Sequence, residues 1–211
     1  MLKNKMIILD AGHGGVDDYC RYTSGNKKRF RHYGEFFSHG GQNDSDFLEG
    51  VFNRQICSRI SKMLIDNNIP FMFTVENLGS EDLGLMKRIK KANKAQESID
   101  CIFISIHANA FNEKVKGFEV HYHRNSANGK IFAEEIKDSA RDLGLFDFIP
   151  ERSNKKSSRL AVLKYTRMTS VLVECGFFDN REEALLLDSE EVQKIISESI
   201  FLVCEKWFFK Q

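Results

Sequence analysis

The sequence predicts a single α/β domain whose mainly parallel, twisted β-sheet is covered by helices on both faces. Short apolar runs at 6–9, 101–106 and 171–173 are rich in β-formers, as in parallel strands that are buried on both faces. Helical segments separate these runs, and alternation of strands with helices is typical of a parallel sheet. A chain of 211 residues is long enough for one domain with a substantial core.

The elements of the first half follow from periodicity. Residues 6–9 form the first predicted strand, and the polar stretch at 16–46 is predicted to be a long inserted loop, which is uncommon inside a compact domain. Apolar residues recur at helical spacing over 47–66. A strand is expected at 71–75 and a basic helix at 86–98.

The second half repeats this alternation. A buried strand is predicted at 101–106, a further strand at 118–123 and an amphipathic helix at 129–143. The last strand, 171–173, runs directly into Glu174. Two helices are expected after it.

Composition and charge exclude several classes of protein. Hydrophobic content of 42%, charged content of 29% and a net charge of +1 are ordinary for a globular domain and predict neither nucleic-acid binding nor membrane insertion. Five scattered cysteines without a Cys-x-x-Cys pair suit a reducing compartment. The short apolar run near the N-terminus does not resemble a signal peptide. We therefore expect a chain that is cytoplasmic as synthesised and has no separate second domain.

Side chains able to bind a metal follow three of the predicted strands. His13 lies between glycines after the first strand, His107 follows 101–106, and Glu174 ends the last strand. Because the C-terminal ends of parallel strands share one edge, these side chains are expected to meet there. Glu49, near the start of the helix at 47–66, adds a second carboxylate.

Two histidines and one carboxylate are the ligands of an open catalytic zinc site, and a second carboxylate can act as general base. Spacing alone does not decide which glutamate has which role. A glutamate at a helix start can reach in as a ligand, whereas one fixed on a strand end is better placed as a base.

With these motifs the chain resembles the zinc-dependent N-acetylmuramoyl-L-alanine amidase family of bacterial cell-wall amidases and phage endolysins. The resemblance covers nearly the whole chain and depends on motifs in the order of the family: Ile8-Leu9-Asp10-Ala11-Gly12-His13-Gly14-Gly15, Glu49 with Asn53, Arg88 with Ala92-Asn93, Ser105-Ile106-His107-Ala108-Asn109-Ala110, Gly117-Phe118-Glu119-Val120 and Leu172-Val173-Glu174-Cys175-Gly176-Phe177. It implies a phosphorylase/hydrolase-like fold and peptidoglycan as the partner. The insert between His13 and Glu49 is longer than is usual in the family, so Glu35, Asp44 and Asp46 compete with Glu49 for the ligand role. Glu49 is preferred because Asn53 follows it at the family spacing and the helical pattern starts there.

The resemblance also implies roles for individual residues. His13, Glu49 and His107 would bind one Zn²⁺ per chain, and Glu174 would be the catalytic acid–base. The bond cut would join N-acetylmuramic acid to L-alanine of the stem peptide, in a phage endolysin or a bacterial wall hydrolase that acts after release.

Four further residues are expected to bind the substrate: Asn109, Arg88, Lys28 and Arg29. The last two belong to a basic and aromatic part of the insert. Because the insert begins beside His13 and ends beside Glu49, it should lie over or beside the cleft, either as part of the substrate grip or as a flap.

Three alternatives remain open at this point. A zinc carboxypeptidase would use the same ligands and an arginine clamp, for which Arg88, Arg159 and Arg167 are available. A cysteine amidase would use Cys175, but side chains alternate along a strand, so Cys175 should face away from Glu174. A non-catalytic glycan-binding module would retain the fold without turnover.

Overall fold

The protein is described by a computed structural model that covers residues 5–14, 27–29, 46–75, 83–157 and 159–210. Within these ranges, no helix is long and apolar enough to cross a membrane. The predicted α/β class is confirmed, with a six-stranded, mainly parallel sheet at the centre.

The sheet has the strand order β4-β1-β5-β8-β6-β7, and β1, β4, β5 and β8 are mutually parallel. β6 is antiparallel to β8 and parallel to β7. A separate antiparallel hairpin joins β2 to β3. The strands are β1 Lys5–Ala11, β2 Lys27–Arg29, β3 Asp46–Leu48, β4 Phe71–Phe73, β5 Asp100–Asn109, β6 Glu119–His123, β7 Lys155–Ser157 and β8 Thr169–Phe177.

Helices cover both faces of the sheet. Alternation along β1 shows this directly, because Ile7 and Leu9 belong to one apolar cluster and Ile8 to a second. The larger cluster includes residues of α1, α3, α5 and α6, and the smaller one includes residues of α2 and α4. The helices are α1 Glu49–Asp66, α2 Leu85–Gln96, α3 Ala127–Asp142, α4 Ala161–Tyr165, α5 Arg181–Asp188 and α6 Glu190–Phe209, with a 3₁₀ turn at Leu145–Asp147.

Element boundaries differ from the predictions mainly where polar residues continue a strand. β5 runs to Asn109 and β8 to Phe177, so His107 and Glu174 lie within their strands and do not terminate them. The helix predicted from residue 47 begins at Glu49, because Asp46–Leu48 pairs with Lys27–Arg29 as a strand. Periodicity could not show this, since Phe47 and Leu48 are buried in either conformation.

Only part of the predicted insert lies in the described ranges. Lys27–Arg29 is a strand, and Lys27 Nζ lies 3.7 Å from a carboxylate oxygen of Asp46. The remainder of 16–46, including Glu35 and Asp44, lies outside the described residues.

Candidate active site

The segment after β1 turns sharply around Gly12 and His13. A β-carbon on Gly12 would lie 2.2 Å from Cε1 of His107, so no larger residue fits there. His13 has a φ of 62°, a left-handed conformation that is uncommon outside glycine. The turn therefore brings the imidazoles of His13 and His107 together, with ring centroids 5.3 Å apart.

Buried donors hold this turn through its carbonyl groups. Asn53 Nδ2 donates to the carbonyl of Gly12 at 3.0 Å, and the Arg54 guanidinium donates to the carbonyls of His13 and Gly14. Arg54 was not among the predicted site residues. Its position next to Asn53, in the middle of an apolar helical pattern, was the sequence signal that could have indicated a role in the site.

Arg88 also supports the turn, which corrects the expectation that it contacts substrate. Its side chain is only 3% exposed, and its guanidinium bonds to Asp10 Oδ1 at 3.0 Å and to the carbonyl of His13 at 3.0 Å. Asp10 in turn accepts a hydrogen bond from Ser105 Oγ at 2.7 Å. Arg88 is therefore a positioning residue beneath the site.

Glu49 lies between the two histidines. Its Oε1 is 3.1 Å from His107 Nδ1, and its Oε2 is 3.2 Å from His13 Nε2. One ligand atom from each of the three side chains lies within 4.8 Å of the others. Glu49 is 1% exposed, whereas His13 and His107 are 31% and 19% exposed, so the group opens to solvent on the histidine side.

The electrostatics of this group favour a bound cation. Burial alone would raise the pKa of Glu49, but contacts with His107 and His13 outweigh it and lower the pKa to about 2. Burial alone would lower the pKa of His107, but its interactions with Glu49, Glu174 and Asp10 together raise it. Protons and a metal ion would thus compete for the imidazole.

The residues present fit a zinc ion. Two imidazoles and one carboxylate are a zinc donor set that leaves a coordination position open. Glu49 Oε2 is buried, and among the described residues its polar contact is the one with His13 Nε2 at 3.2 Å, so a cation bound between the two side chains would satisfy this oxygen. Asp46 does not join this group, since it belongs to β3 and pairs with Lys27.

Glu174 stands directly beside His107 in the parallel pairing of β5 with β8. Paired residues on neighbouring strands project from the same face, about 4.8 Å apart. Burial raises the pKa of Glu174 to about 7, and its Oε2 has no partner among the described residues. A carboxyl group that is half ionised near neutral pH can both accept and return a proton.

Cys175 is buried, and burial raises the pKa of its thiol well above the usual range. A thiol that stays protonated is a poor nucleophile. The structure therefore gives no support to the cysteine-amidase alternative.

The strand end that carries Glu174 is held by Glu183 from α5. Glu183 is fully buried, and its Oε2 accepts a hydrogen bond from the backbone N–H of Phe177 at 2.6 Å. Burial outweighs this hydrogen bond and raises the pKa of Glu183 from 4.5 to about 7.

This raised pKa predicts a pH-dependent loss of stability. A carboxyl whose pKa is higher in the folded state binds more protons there, so its stabilisation is complete below pH 4.5 and is lost as pH rises through 7. We expect a contribution of about 2–3 kcal/mol. The free energy of unfolding, measured with denaturant across this pH range, should decline less steeply with pH in Glu183→Gln than in the unaltered protein. Parallel plots of this free energy against pH would contradict the assignment.

The remaining predicted substrate residues stay predictions. Asn109 lies at the end of β5, where its Nδ2 donates to Glu119 Oε1 at 3.2 Å. Lys28 forms an ion pair with Glu113, in the loop after β5, which places the hairpin beside the catalytic edge. The backbone of Arg29 pairs with Asp46.

The sequence model of the N-acetylmuramoyl-L-alanine amidase family matches residues 7–205. An uncharacterized cell wall amidase of Bacillus anthracis is 27% identical over 222 residues, which cover 95% of this chain and 35% of that protein. The endolysin of Bacillus phage SPP1 is 27% identical over 204 residues, which cover 92% of this chain and 63% of the endolysin. The chain thus spans about a third of the length of the Bacillus anthracis protein and just under two thirds of the length of the endolysin.

The solved structure of the N-acetylmuramoyl-L-alanine amidase AmiC2 of Nostoc punctiforme has the same fold. It superposes with a TM-score of 0.75 at 24% identity, and the match covers 100% of both chains.

Proposed function

The chain belongs to the N-acetylmuramoyl-L-alanine amidase family, and from this premise we propose that it is a zinc-dependent hydrolase of the bond between N-acetylmuramic acid and L-alanine in peptidoglycan. One observation carries the proposal. The group formed by His13, Glu49 and His107 lies next to a carboxyl group, Glu174, whose pKa is raised to about 7.

His13, Glu49 and His107 would hold the metal. Zinc, when bound, would polarise the scissile carbonyl and favour ionisation of a water molecule. The chain then supplies the proton transfers. Glu174 accepts a proton from water as the water oxygen bonds to the amide carbon, and it gives that proton to the nitrogen as the carbon–nitrogen bond breaks.

The positions of Arg159 and Arg167 argue against either residue being the carboxylate clamp of a zinc carboxypeptidase. β6 and β7 run opposite to β8, so the C-terminal end of β7 lies at the edge of the sheet where β8 begins. Arg159 follows β7 at that edge. Arg167 precedes β8 and pairs with Glu97 at 3.5 Å. Both therefore lie at the edge opposite Glu174.

The bond that is cut tests the proposal. Digestion of purified peptidoglycan should release new amino groups on L-alanine, with no new reducing sugar. Labelling free amines before acid hydrolysis identifies the residue. Label on D-alanine or diaminopimelate alone would indicate a peptidase and reject the amidase assignment.

The place of action is also a proposal. We propose that the chain is made in the cytoplasm and reaches the wall after release, which is supported by its similarity to a phage endolysin. Asn109, Lys28 and Arg29 are proposed to contact the substrate beside the metal site. Asn109 lies at the end of β5, and the ion pair of Lys28 with Glu113 holds the separate β2–β3 pair near that end.

A further inference from the structure

A second group of charged side chains lies across β8 from the candidate metal ligands. Its centre is Glu119, the first residue of β6, which is fully buried. Glu119 stands opposite Glu174 in the antiparallel pairing of β6 with β8, and opposite residues project from the same face of a sheet. The row of polar side chains that begins at His107 therefore continues past Glu174 to the next strand.

Four side chains converge on the Glu119 carboxylate. Oε1 accepts a hydrogen bond from Asn109 and lies 3.1 Å from His121 Nε2. Oε2 accepts a hydrogen bond from Arg152 Nε at 2.9 Å and pairs with Lys155 Nζ at 3.1 Å. Arg152 and Lys155 carry two positive charges, and the Glu119 carboxylate neutralises one of them.

These two cations reach the carboxylate from the surface. Their side chains are 34% and 47% exposed, whereas that of Glu119 is 1% exposed. The Arg152 guanidinium is further fixed by the carbonyl of Lys116 and lies 5.4 Å from the centroid of the Phe177 ring. A guanidinium has five N–H donors and an ammonium three, so donors remain for a ligand after these contacts.

The direction of the proposed reaction predicts which part of the substrate faces this group. The scissile carbonyl belongs at the metal ligands on β1, β5 and α1, and the leaving nitrogen belongs at Glu174 on β8, which returns the proton. The leaving stem peptide then continues towards β6. The carboxyl group of the muramic acid is part of the scissile amide, so the free carboxylates of the substrate belong to the peptide.

We propose that Arg152 and Lys155, oriented by the buried Glu119, bind a free carboxylate of the leaving stem peptide. This inference rests on the proposed function and adds a specificity site to it. Two strand spacings, about 9.5 Å, separate β5 from β6, and about three extended residues span that distance. The carboxylate is therefore that of the second or third residue of the peptide.

Two muramoyl tripeptides that differ only in carrying carboxylates or carboxamides on the second and third residues test this site. We expect kcat/KM of the unaltered enzyme to be about tenfold higher for the carboxylate form, mainly through KM, because the amide forfeits a charge-assisted hydrogen bond. Arg152→Gln and Lys155→Gln should each reduce the preference to about threefold or less. Lys130→Gln removes an exposed charge paired with Glu134 on α3 and should keep the full preference.

A binding measurement separates this site from the chemistry. Calorimetric titration of the Glu174→Gln protein with each tripeptide should show the same preference without turnover. Equal affinity for the two peptides, or an unchanged preference in both charge variants, would overturn the carboxylate site even if the muramoyl–alanine bond is cut. Failure to cut that bond in either peptide, with release of a C-terminal amino acid, would overturn the proposed function instead.

Discussion

Replacing Glu174 with glutamine should lower turnover by roughly two to four orders of magnitude while zinc stays bound. Glutamine keeps the shape of the side chain and its place beside His107, but it can neither accept the proton of water nor return it to the leaving nitrogen. The measurement is kcat on a soluble muramoyl peptide together with the zinc content of the same preparation.

Glu182→Gln provides the matched control. Glu182 is an exposed glutamate that pairs with Lys116 on the surface, so its replacement should leave kcat within about twofold. If Glu174→Gln lost its zinc while keeping a normal rate per bound metal, Glu174 would be a ligand and the roles of the glutamates would have to be exchanged.

Replacing a metal ligand should have an equally large effect by a different route. His107→Ala removes one imidazole, and Glu49→Gln removes the one negative charge of the donor set, so both should lose zinc and fall below about a thousandth of normal activity. Zinc should also stop stabilising these variants. For the unaltered protein, free zinc at a hundred times the dissociation constant should add about 2.7 kcal/mol to the free energy of unfolding.

His123→Ala is the control for a lost imidazole. His123 lies at the far end of β6, away from the metal ligands, and its ring Nδ1 accepts a hydrogen bond from the backbone N–H of Asn125. The His123→Ala protein should bind one zinc, and added zinc should raise the denaturant concentration at which it unfolds. Full zinc content in Glu49→Gln would show that another carboxylate completes the site.

The fold and the candidate metal site could be predicted from the sequence because both follow from strong local patterns. Apolar runs of β-formers locate β1, β5 and β8, and parallel pairing forces the ends of these strands to one edge. His13, His107 and Glu174 therefore could be brought together before any coordinates. Assignment of Glu49 needed the family motif, and its position between the histidines supports that choice.

The rest depends on contacts between distant parts of the chain. The short strands β2, β3 and β7 have three residues each, which is too few to show a period. Arg88 was expected at the substrate because a sequence does not show whether a charge is exposed or buried against Asp10. The convergence of Arg152 and Lys155 on Glu119 joins residues more than thirty positions apart, and no spacing rule connects them.

Removal and restoration of the metal tests the central claim most directly. Purified protein should contain about one zinc per chain. A chelator should abolish release of N-terminal L-alanine from cell walls, and stoichiometric zinc should restore it. A protein that contains no metal and still releases N-terminal L-alanine at the full rate would contradict the account.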